Sequence, residues 1–143
     1  MPGAQALWLA EAVASARPEA FLIGREFAHV HPPYDGSMHM MLPPEVVDEV
    51  LAKGWGEPHP MACRGLIPPT VVMVSAPRDA AEVEVILHMI GISYRFACAK
   101  GRPREGKLAA STQWLNVPHK NLRHDLQHGP EGTKLEGGIR RKS

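Results

Sequence analysis

The sequence predicts an α+β fold: a small antiparallel sheet with helices packed on it, forming a single domain, followed by a basic C-terminal tail. Three observations carry this. Phe27–His31 and Ser37–Leu42 flank Pro32-Pro-Tyr-Asp-Gly36, a turn-rich connector of hairpin length. Thr70–Ala76 is apolar on both faces, as a strand covered on both sides is. Residues 44–53 and 80–97 carry apolar side chains at helical spacing. A chain of 143 residues fits one domain, and 44% hydrophobic with 22% charged residues excludes a wholly disordered or fibrous chain.

Taken in order, Ala4–Ala16 reads as a first helix, favoured by Ala and Leu and ended by Arg17-Pro18. The His/Met hairpin follows. Pro44–Lys53 is a second helix, with Pro in its first turn and Val46, Val47, Val50 and Leu51 as its buried stripe. Glu49 and Lys53 form an i,i+4 pair, and Gly54 with Trp55 supplies the C-terminal stop. Asp79 is placed to cap a third helix, about Ala80–Ala97, with Glu82 completing a capping box. Val83, Ile86, Leu87, Ile90 and Tyr94 form its expected inner side.

Charge divides the chain. Residues 1–98 hold 6 basic and 11 acidic side chains, a net −5, whereas residues 99–143 hold 10 and 4, a net +6. The expected organisation is therefore a domain over 1–98 and a basic, loosely packed or mobile extension over 99–143. The tail's other reading is contact with nucleic acid or an acidic partner. A net charge of +1 argues against a dedicated nucleic-acid binder. Cys63 and Cys98 form no CxxC pattern, which excludes a zinc ribbon or disulfide scaffold and favours two reduced thiols. The N-terminus has no basic residue before Arg17, and its apolar stretch is too short to span a bilayer. A cytoplasmic protein without a membrane segment is expected, of unknown oligomeric state.

Candidate chemistry gathers on the hairpin. His29 and His31 share a strand face, and His39 returns opposite His29 if His31 pairs with Ser37. Met38, Met40 and Leu42 point the other way, into the core. Three readings of the three imidazoles stay open: a divalent-metal ligand set, a general base, or side chains that satisfy loop backbone or face solvent. Gly54-Trp-Gly-Glu-Pro-His-Pro60 is a rigid loop presenting Glu57 and His59, with Trp55 as a packing anchor. Arg78 stands at a strand end beside a helix N-terminus, where it could stabilise an anion or pair with a nearby acid. His39, His59 and Arg78 are expected to line one cleft, with Glu57 orienting a histidine.

These segments, in their order, resemble the luciferase-domain family, which is named for the fungal luciferase and includes many small bacterial proteins. The resemblance rests on Tyr34-Asp-Gly-Ser-Met-His39, Leu42-Pro-Pro-Glu45, Gly54-Trp-Gly-Glu-Pro-His-Pro60 and Ala76-Pro-Arg-Asp79, over about residues 29–98. It implies an oxygenase acting with O₂, as co-substrate, on a small enolisable aromatic or pyrone, such as a hydroxylated styryl-pyrone, with no flavin or metal. A base, an anion stabiliser and a dry pocket suffice for that chemistry. Carried onto this chain, His39 or His59 is the base, Arg78 the enolate partner and Glu57 the orienting acid. His29, His31, Tyr34, Asp35, Ser37 and Trp55 become candidate substrate contacts. The alternatives are a metal site at His29, His31 and His39, and a non-catalytic binding module with a basic tail. Ser75 departs from the family pattern, where an aromatic residue is expected.

Overall fold

A computed structural model describes residues 3–98. Five strands form one antiparallel sheet: β1 (Gln5–Trp8), β2 (Glu26–Val30), β3 (Met38–Met41), β4 (Gly56–Pro58) and β5 (Val71–Val74). Their spatial order is β1-β2-β3-β5-β4, so β5 is internal and the first and fourth strands are edges. The helices are α1 (Pro44–Ala52), α2 (Pro60–Cys63) and α3 (Ala80–Ala97), and the fold is α+β as the sequence predicts. Among the described residues no helix is long and apolar enough to cross a membrane. The expected basic extension, 99–143, lies outside the described residues.

The hairpin register follows the predicted pairing. His29 stands opposite His39, and the His31 amide donates to the Ser37 carbonyl at 2.9 Å. Alternation then sends Met38 and Met40 into the core, where they meet Val72 and Val74 at register positions on β5. The opposite face carries His29, His39 and Met73, all half-buried.

α1 ends as expected. Gly54, at φ 73°, donates to the Leu51 carbonyl and Trp55 to that of Val50, the two bonds of a Schellman stop. Trp55, 1% exposed, then anchors the loop in the core. Glu49 and Lys53 pair at 2.8 Å.

Three local expectations are corrected. Ala4–Ala16 is not a helix: it supplies β1 and a 3₁₀ turn at Glu11–Val13. An isolated helix of that length is marginal, while the open edge of β2 offers unpaired backbone donors and acceptors. In α3 the inner face is Val85, Ile86, Met89, Ile92 and Phe96, whereas Val83, Leu87 and Tyr94 are exposed. That helix is apolar on most sides, so its sequence does not single out the buried stripe. Asp79 caps the Glu82 amide as predicted, but the Glu82 carboxylate turns to the Arg78 backbone N–H and guanidinium instead of completing a capping box.

Candidate functional site

Four imidazoles meet on the half-buried face of the sheet. Ring centroids are 4.7 Å apart for His29–His39, 4.6 Å for His31–His39, 5.3 Å for His29–His31 and 4.8 Å for His39–His59. The first three come from the hairpin. His59 arrives by another route: Gly56–Pro58 pairs with β5 as an edge strand, and this carries the chain back to the cluster. A Cβ on Gly56 would lie 2.5 Å from the Met73 carbonyl oxygen, so the two backbones approach this closely only because that residue is glycine.

Each ring is held differently. His31 Nδ1 lies 2.6 Å from Asp35 Oδ2 and 3.1 Å from Ser37 Oγ, within the connector of its own hairpin. His29 Nδ1 lies 2.6 Å from Glu26 Oε1. His59 Nδ1 accepts the Met61 backbone N–H at 3.1 Å, so the neutral ring carries its proton on Nε2. His39 has no hydrogen-bond partner among the described residues. Burial, reinforced by His29, His31 and His59, pushes its pKa down to about 4. Burial and His29 also lower that of His59. Hydrogen bonds from Ser37 and His31 hold the Asp35 carboxyl below its usual range.

Glu26 escaped the sequence reading. It is 6% exposed, yet it sits three residues from His29, a spacing that normally sends two strand residues to opposite faces. The register shift opposite Leu7 and Trp8 resolves this. Trp8 faces Glu26 and Leu7 faces Ala28, so Phe27 is an extra residue in β2. The bulge brings Glu26 onto the histidine face.

Glu26, His29, His31 and His39, with Ala4, Ala6, Leu22 and Ile23, line a recess of about 310 Å³. Of the other expected site residues, Tyr34 is 86% exposed on the connector, while Asp35 and Ser37 support His31. Glu57 lies in the cross-strand row of His29, His39 and Met73. The Arg78 guanidinium forms two hydrogen bonds with Glu82, the paired-acid reading of that residue. Among the described residues, none lining the recess is Lys or Arg.

Residues 24–93 match the luciferase domain family. The luciferase of Armillaria ostoyae is 41% identical over 71 residues, covering 48% of this chain and 27% of that protein. The luciferase of Neonothopanus nambi is 42% identical over 64 residues, covering 43% and 24%. The matched stretch thus spans about a quarter of these relatives' own length. No solved structure matches this chain significantly. Over residues 24–93, which contain every histidine of the cluster and both supporting carboxylates, the chain is similar to the luciferase domain family.

Proposed function

We propose that this chain oxygenates a small enolisable aromatic or pyrone with O₂, binding it in the histidine-lined recess. The reading is supported by the relatives named luciferase and, above all, by one observation: an imidazole cluster in which two rings are backed by carboxylates. A carboxylate on Nδ1 fixes the tautomer and stabilises the imidazolium that forms when Nε2 takes a proton.

Proton acceptance therefore belongs to His29 or His31 and not to His39, whose low pKa makes it a weak base. His59 offers an Nε2–H to a substrate oxygen. Removing the enol proton leaves an enolate, whose electron pair reduces O₂ to a peroxide bonded to the substrate carbon. The substrate supplies both electrons, so no external reductant is needed. Leu22 and Ile23 give the recess an apolar wall beside the reacting carbon.

Oxygen consumption with hydroxylated styryl-pyrones tests the reading. Wild type should consume O₂, and a His29→Ala, His31→Ala double variant should lose at least ~100-fold in rate, the scale of a general base. No uptake by wild type, or equal uptake by the variant, overturns it.

A further inference from the structure

We propose that His29, His31 and His39 bind one divalent transition-metal ion, with Glu26 and Asp35 as the carboxylates that orient two of the ligands. The inference uses the same recess as the oxygenase reading and does not depend on it.

The donor atoms converge. One potential ligand atom from each histidine lies within 4.8 Å of the other two. Bonds of about 2.0–2.1 Å in a tetrahedral arrangement set nitrogens about 3.3 Å apart. Small ring rotations about Cα–Cβ and Cβ–Cγ close that gap, because His29 and His39 already face each other across paired strands.

The ring chemistry selects the same three. His29 and His31 engage carboxylates through Nδ1, at 2.6 Å each, which leaves the Nε2 lone pair for a metal. A carboxylate behind the non-ligating nitrogen is the usual partner of a metal-bound histidine. His39 brings a ring with no hydrogen-bond partner among the described residues, between the other two. His59 is different: its Nδ1 is used by the Met61 amide, so Nε2 carries the proton and donates beside the ion instead of ligating it. Three imidazoles with an open fourth position suit zinc, iron, copper or nickel better than magnesium or calcium.

Charge balance points the same way. Glu26 is almost fully buried, and among the described residues no Lys or Arg side chain lines its recess. A buried carboxylate is costly unless paired with positive charge. A dication on the far nitrogen of His29 supplies that charge through the ring.

The test uses the full chain without an affinity tag, stripped by chelator and titrated with Co²⁺ alone. The expected result is one equivalent bound, a visible absorption band typical of nitrogen-ligated Co²⁺, and a raised Tm. His39→Ala should abolish the band. Glu26→Gln, which keeps the side chain's shape, should weaken Co²⁺ binding by about 10–100-fold. His29→Asn repeats the measurement should His39→Ala fail to fold. Wild type binding under half an equivalent overturns the proposal. So does an unchanged spectrum in both histidine variants, which would move the ion to other residues, such as His119, His124 and His128. Stripped protein that binds no Co²⁺ yet consumes O₂ with a pyrone removes the metal and keeps the oxygenase. Stoichiometric Co²⁺ binding without O₂ uptake by either the stripped or the metal-loaded protein supports the metal and removes the oxygenase.

Discussion

Glu26 Oε1 lies 2.6 Å from His29 Nδ1 across a β-bulge at Phe27, and this one irregularity turns a strand residue into the support of a site imidazole. Glu26→Gln retains an oxygen for the Nδ1–H but removes the charge. It should leave the fold intact and lower the rate of O₂ uptake by about 10²–10⁴-fold, because the imidazolium loses its counter-charge. A rate within twofold of wild type would make Glu26 a purely structural residue.

The bulge itself is tied to α3. Ser93, fully buried, donates its Oγ–H to the Phe27 carbonyl at 2.9 Å. Ser93→Ala removes the donor without enlarging the core. The expected cost is about 1–3 kcal/mol, the range for removing one partner of a buried hydrogen bond. Equilibrium denaturation gives the stability, and O₂ uptake gives the consequence for the site. If the bulge depends on this bond, activity falls in conditions where the protein is still folded.

Much of the site is legible in the sequence because it is local. Pro32–Gly36 sets the hairpin register, and the register alone puts His29 opposite His39. Gly54 and Trp55 announce the end of α1 by conformational need and apolar anchoring. The rest depends on partners distant in sequence. A bulge interrupts the period of two that would have placed Glu26, so alternation sends it to the wrong face. The Ala-rich segment 4–16 has helical propensity, yet the edge of β2 recruits its first half as a strand. His59 reaches His39 only through the pairing of β4 with β5, which three residues do not advertise. Arg78 is correctly placed beside the start of α3, but its engagement depends on which way Glu82 turns.

Gly56 offers a direct test of that long-range assembly. Gly56→Ala puts a methyl group 2.5 Å from the Met73 carbonyl oxygen, a backbone atom that cannot move without disturbing β5. The edge strand should separate locally, at a cost of about 1–3 kcal/mol, the range for overpacking. His59 should then leave the cluster. Imidazole resonances followed by NMR would show the His59 pKa rising toward its ordinary value, since burial and His29 no longer depress it. An unchanged His59 titration would mean that β4 does not position it.

The pH dependence of stability follows from His39. Its pKa falls from 6.5 when unfolded to about 4 in the folded chain, chiefly through burial and then through His29. Between these values the unfolded state binds more protons, so stability rises with pH across this window and is lost as pH falls from 6.5 toward 4. The full shift would correspond to roughly 3 kcal/mol, and screening of a half-exposed ring reduces this to about 1–2 kcal/mol. Asp35 adds to the loss only at lower pH, where its depressed carboxyl takes a proton. His39→Asn should flatten the stability curve between pH 6.5 and 4, apart from the contributions of His59 and His88, whose pKa values burial also lowers. Urea unfolding of both proteins at half-unit pH intervals measures the difference. Parallel curves for wild type and His39→Asn would show that His39 does not bear the cost of charging the cluster.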